Sequence, residues 1–137
     1  MENSLLDTNI LSQPLKPKPH EAAIRWLVTT PRAQTFLSVV TIQETRTGLD
    51  MIKDMEKKQR LEAWFARVRR RYDGRILPVT EEVAEVAGTL VARLRKDNVT
   101  IGANDILIAA TAAVHNLQIV TLNRKDFERL GVLVVDF

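Results

Sequence analysis

The apolar residues of this chain fall into short, unbroken runs separated by helical patterns, and no other feature limits its fold as much. The runs are Ser4–Leu6, Thr35–Ser38, Ile76–Leu77, Ile119–Thr121 and Val132–Val135. A strand with one face in water alternates polar and apolar residues, whereas a continuous run is buried on both faces, as in a parallel sheet covered by helices. Helical spacing fills the intervals. Ala22, Ala23, Trp26 and Leu27 mark a helix over Glu21–Thr29, and a second runs from Thr41 to about Met51. Leu61, Trp64, Phe65, Val68 and Tyr72 define one face of a third. Val83, Val86, Ala87, Leu90, Val91 and Leu94 define a fourth over Glu82–Lys96, with Thr80 placed to cap it. The segment from Asn104 to about His115 is almost wholly apolar and belongs in the core. Alternating strand and helix predicts one α/β domain over residues 1–137, with a mostly parallel sheet of about five short strands flanked by helices.

Composition excludes several chemistries. The chain has no cysteine, so disulfides, thiolate metal sites and cysteine nucleophiles are absent. No stretch reaches the roughly 18–20 apolar residues of a membrane span. The start Met1-Glu2-Asn3-Ser4 has no basic region of the kind that opens a signal peptide, so a cytoplasmic protein with no membrane partner is expected. Net charge is +3, but it is unevenly spread. Lys57, Lys58, Arg60, Arg67, Arg69, Arg70, Arg71 and Arg75 are opposed locally only by Glu62 and Asp73. Such a stretch is either an electrostatic footprint for phosphates or the solvated face of a helix.

Three acids stand where the pattern wants apolar or neutral residues. Asp7 interrupts "LLDTNIL" at the end of the first run, Glu44 follows "SVVTIQ", and Asp105 opens the apolar helix "NDILIAATAAV". Each has a structural explanation: Asp7 as a turn-capping residue, Glu44 as the acid of a capping box Thr41-x-x-Glu44, Asp105 as a first-turn acid favoured by the helix dipole. All three also sit at strand ends or helix starts, which a wound sheet gathers along one edge. Oxygen ligands with no Cys or His nearby suit a hard cation such as Mg²⁺ or Mn²⁺. The small residues Ala109, Ala110, Ala112 and Ala113 would let the last long helix approach the sheet closely, leaving room beside Asp105. His20 and His115 are the only imidazoles, one in a Pro-rich loop and one at a helix end, and neither is needed as a base.

In order and spacing, "LLDTNIL", "SVVTIQE", "ANDILIAATA" and "IVTLNRKDF" resemble the PIN-domain ribonucleases, most closely the VapC/FitB-like toxins of type II toxin–antitoxin pairs. The resemblance runs from Ser4 to Phe137. It implies an endoribonuclease that hydrolyses RNA phosphodiesters with metal-activated water, using Mg²⁺ or Mn²⁺, paired with a cognate antitoxin and forming a homodimer. Carried over by residue, Asp7 and Asp105 match the two metal-holding aspartates and Glu44 the intermediate acid. The fourth acidic position falls on Asn123, with Asp126 three residues on as a further candidate ligand. Thr8, Asn9 and Asn123 are candidates to touch the metal's water or a phosphate. Arg67, Arg69, Arg70 and Arg71 are candidates to face RNA, and the helix pair around Met51–Tyr72 is where antitoxin contact is expected. The alternative is a PIN-domain protein without an antitoxin, processing RNA or only binding it.

Overall fold

A computed structural model of the chain describes residues 2–137. In chain order it contains β1 (Ser4–Leu6), α1 (Thr8–Leu11), α2 (Glu21–Thr29), β2 (Thr35–Ser38), α3 (Val39–Asp50), α4 (Met55–Arg71), β3 (Ile76–Leu77), α5 (Glu81–Lys96), α6 (Ala103–His115), β4 (Gln118–Val120) and α7 (Arg124–Arg129). Short 3₁₀ turns precede α2 and β2. The sheet order is β3-β2-β1-β4 with every pairing parallel, so β1 lies in the middle and all four carboxyl ends face one edge. β1 and β2 are buried almost throughout, as expected of strands covered on both faces.

Two apolar layers sandwich the sheet. On one side Leu5 and Ile119 pack with Val83, Leu90 and Leu94 of α5, Ile106, Ile108 and Ala109 of α6, and Phe127 of α7. On the other, Leu6, Leu37 and Val120 pack with Ile10, Ala23, Val68 and Tyr72. Successive residues Leu5 and Leu6 therefore serve opposite layers, the period-two geometry of a strand.

The Val132–Val135 run departs from expectation, and the sheet has four strands instead of five. Only Val134 bridges Ile119, with Ile119 N–H donating to Leu133 O and Val135 N–H to Ile119 O, both at 2.8 Å. β4 is three residues long, and Gly131, at a φ of +79°, turns the chain just before the run, so only a single parallel rung forms.

Helix starts follow side-chain caps. Asp54 caps α4, and the Thr80 hydroxyl accepts from Val83 N–H at 3.2 Å to cap α5. Thr80→Ala is expected to lower stability by about 1 kcal/mol, read as a fall in the urea midpoint with unchanged slope. α3 begins two residues earlier than its apolar spacing suggests. The buried Ser38 hydroxyl accepts from Val40 N–H at 3.0 Å, so Ser38 is the cap and the expected Thr41/Glu44 capping box does not form. Glu44 consequently lies in the second turn, not the first, and its carboxylate is free of capping duty.

Candidate functional site

β1 ends at Leu6, and the Asp7 N–H continues the ladder by donating to Val120 O at 2.9 Å. This fixes the Asp7 side chain at the carboxyl edge of the sheet, where it is 5% exposed. Its two oxygens are separately engaged. Oδ1 accepts from Thr8 N–H at 2.8 Å, capping α1, and Oδ2 accepts from the Thr121 hydroxyl at 2.7 Å. The turn-capping role and the buried-carboxylate role thus coexist in one residue.

Glu44 reaches the same edge from α3, and Asp105 from the first turn of α6. The Thr8 hydroxyl donates to Glu44 Oε1 at 2.7 Å, and its oxygen lies 3.1 Å from the buried Thr41 hydroxyl. A threonine has one proton to give, so with that proton on Glu44 the longer contact is served by Thr41. Asn123 Nδ2 donates to Asp126 Oδ2 at 3.0 Å and, more weakly, to Asp105 Oδ2 at 3.4 Å. Its neutral amide therefore stands between two acids as a shared donor, and Asp126 joins the edge through it. Asn9 is used differently. Its Oδ1 accepts from Leu122 N–H at 3.3 Å, tying α1 to the loop after β4.

The electrostatics are those of a carboxylate cluster. Burial pushes the Asp7 carboxyl up from 3.8 to about 6; repulsion from Asp105 and Glu44 adds to this, while the Thr121 and Thr8 hydrogen bonds oppose it. Burial also raises Asp105, reinforced by Glu44 and Asp126 and opposed by Asn123. None of the ion pairs among the described residues involves these acids. Negative charge lacking a basic partner at a sheet edge, offered by oxygens alone, fits a hard divalent cation. As they stand, no three acid or imidazole side chains among the described residues come within ligating range of one point. A cavity of about 370 Å³ opens beside Glu44 and Asp105, lined also by Gly102, Ala103 and Asn104. A larger cavity, about 440 Å³ between α5 and α6, is lined mainly by apolar side chains and contains no acid.

The small residues of α6 differ in burial. Ala109, Ala110 and Ala112 are fully buried in the apolar layer shared with α5 and the sheet, but Ala113 is exposed. His20 caps α2, its Nδ1 accepting from Ala23 N–H at 3.2 Å, and is committed to structure.

The end of the basic segment is not brought to the acids. α4 ends at Arg71, and after a tight turn with Gly74 at a φ of +79° the chain enters β3 at its amino end. Arg75 pins this corner by donating to Arg32 O at 2.7 Å and Thr35 O at 2.5 Å. Arg69, Arg70 and Arg71 thus lie toward the amino edge of the sheet, opposite the acids, and Arg69 stacks 4.6 Å from the Phe65 ring centroid.

Sequence reasoning missed Thr121. It is fully buried, donates to Asp7 and accepts from Asn123 N–H at 2.9 Å, so it joins two of the proposed site residues. The signal available was a hydroxyl ending an apolar strand whose neighbour strand ends in a carboxylate.

Comparison with known proteins matches residues 4–133 to the PIN domain family. The chain is 34% identical to toxin FitB of Neisseria gonorrhoeae over 95% of its own length and 94% of the toxin's. The crystal structure of FitAcB from the same organism superposes with a TM-score of 0.91 at 33% identity, over 97% of this chain and 96% of that one. Ribonuclease VapC of Rickettsia bellii is 35% identical over 74% of this chain and 75% of its own. A toxin–antitoxin complex from Klebsiella pneumoniae superposes with a TM-score of 0.70 at 26% identity, over 98% and 97% of the two chains.

Proposed function

With a PIN-domain match over residues 4–133 and a 34%-identical toxin aligned over 95% of its length, this chain belongs to the PIN-domain family, and we propose that it is an endoribonuclease toxin held silent by a cognate antitoxin. The observation that carries the reading is the convergence of Asp7, Glu44 and Asp105 at the carboxyl edge of the sheet, with no basic side chain paired to them among the described residues. The relatives named as ribonucleases and toxins, and the toxin–antitoxin complex that shares the fold, favour this reading over a PIN protein acting without an antitoxin. No helix among the described residues is long and apolar enough to cross a membrane, which is compatible with action in the cytoplasm.

Asp7, Asp105 and Glu44 would hold the cation, Mg²⁺ or Mn²⁺, with Asp126 reaching it from α7. When bound, the cation supplies a Lewis acid that lowers the pKa of water and offsets charge on the phosphate. The chain's own residues set up the site. Thr121 and the Thr8 N–H fix the Asp7 carboxylate in one orientation, leaving the remaining lone pairs of its oxygens for a ligand. Thr8, backed by Thr41, does the same for Glu44. Asn123 shares a donor between Asp105 and Asp126, which reduces their repulsion without adding a charge of its own.

Purified protein incubated with total RNA should cleave it in Mg²⁺ or Mn²⁺ and not in excess chelator. Asp105→Asn and Glu44→Gln should each reduce cleavage by at least about a hundredfold, beyond the loss typical of groups that only support a metal ligand. Folded variants that cleave at the parental rate would remove these residues from the site. Co-expression with the protein encoded by a small adjacent gene should restore growth to cells that the chain alone inhibits.

A further inference from the structure

One charged surface is left unused by the site described above: the flank of α4 turned away from α3. At 3.6 residues per turn, Phe65, Val68 and Tyr72 make the buried face. To one side of it Lys58 and Glu62 pair with Asp50 and Arg46 of α3, at 3.7 and 2.5 Å, and Arg69 covers Phe65. To the other side Lys57, Arg60, Trp64, Arg67 and Arg71 recur at spacings of three, four, three and four residues. That rhythm keeps them on one line about 21 Å long, at 1.5 Å per residue. The four cations are exposed, and none has an acidic partner among the described residues. Trp64 is half-buried, packed against Phe65 with ring centroids 6.4 Å apart, and shows its remaining surface in the middle of the line.

We propose that this stripe binds the phosphate backbone of the RNA substrate at a distance from the bond that is cut, a reading that rests on the nuclease assignment. Four unpaired cations in a row match a uniform polyanion. A protein interface is instead built on an apolar centre depleted in charge, whereas four of the five residues of this line are charged. The structure also narrows the arginines that sequence pointed to. Arg67 and Arg71 belong to the stripe, Arg69 is turned toward α3, Arg70 lies outside it, and Lys57 and Arg60 join it.

The test combines Arg60→Gln, Arg67→Gln and Arg71→Gln, all exposed positions that leave the core intact. In an Asp105→Asn background, where binding is read without cleavage, a labelled single-stranded RNA should bind roughly tenfold more weakly at low salt. Its log–log salt dependence should be shallower by about 2, three phosphates at about 0.7 each. With the acids intact, the triple variant should raise KM while kcat holds, because the lost contacts are remote from the reacting phosphate. A control removing the same charge elsewhere, Arg95→Gln with Lys96→Gln and Arg129→Gln, should bind RNA as the parent does. Parental affinity and salt slope in the triple variant would overturn the stripe, as would equal losses in the control, or lost antitoxin affinity with RNA binding unchanged. If the unsubstituted chain neither cuts nor binds RNA in Mn²⁺, the nuclease assignment falls and the stripe with it. Cleavage with parental KM in the triple variant removes the stripe alone.

Discussion

Asp7→Asn is expected to yield a protein that cuts no RNA and, free of divalent ions, is more stable at neutral pH than the unsubstituted chain. The two effects share one cause. Asp7 is charged at pH 7, buried, and faces Asp105 and Glu44, which lifts its pKa from 3.8 to about 6. Below pH 3.8 it is protonated whether the chain is folded or not, and well above pH 6 it is ionised in both states. Between these values the folded protein keeps a proton that the unfolded chain has lost, so the stability it contributes falls as pH rises through the window. At 1.36 kcal/mol per pKa unit the full swing is about 3 kcal/mol. An amide removes the charge, but its Nδ2 meets the Thr121 oxygen where a carboxylate accepted a proton, so the gain at pH 7.5 should be about 1–3 kcal/mol. Urea unfolding of both proteins from pH 4 to pH 7.5, in chelator, measures it, and curves that stay parallel across that range would refute the account. A cation at 100 times its Kd should return about 2.7 kcal/mol to the unsubstituted chain and nothing comparable to Asp7→Asn.

Phe127→Ala is the substitution expected to damage the fold most. Phe127 is fully buried among Leu5, Ile119 and Leu130, and it is the main anchor of the six-residue α7. So short a helix has no standing of its own in water, so packing must hold it. The expected loss is about 3–5 kcal/mol, a large part of the whole stability of a domain this size. Because Asn123 precedes α7 and Asp126 lies within it, the same loss loosens the Asn123 amide from Asp105 and Asp126. Phe127→Leu keeps most of the volume and should cost about 1.5 kcal/mol or less, with cleavage retained. Denaturant midpoints for the two variants check this, and equal midpoints would show that α7 is held elsewhere.

Much of this architecture is legible in the sequence because burial on two faces leaves a plain mark. The unbroken runs at Ser4–Leu6 and Thr35–Ser38, and the apolar face Phe65, Val68 and Tyr72, predict elements that the structure places within one or two residues. The fifth run failed as a strand because periodicity reports burial, not ladder partners, and β4 has one rung to offer it. Glu44 shows the same limit at the site. Thr41-x-x-Glu44 satisfies the capping pattern, yet Ser38 captures the helix start, because which hydroxyl caps depends on where the strand ends in space.

The sequence by itself determined the fold class, since short strands buried on both faces are local features that survive without coordinates. The order of its motifs carried the resemblance to the family, and the three acids stood out as candidates because carboxylates in apolar surroundings are equally local. Only the tertiary structure decided what each acid touches. Thr121 reaches Asp7 across 114 positions in the chain, Thr8 reaches Glu44 across 36, and Asn123 stands between Asp105 and Asp126. It also decided that Arg69, Arg70 and Arg71 lie away from the acids, because the parallel order of β2 and β3 sends the end of α4 to the opposite edge. Such pairings follow from strand order and direction, and these are properties of the packed sheet rather than of any segment within it.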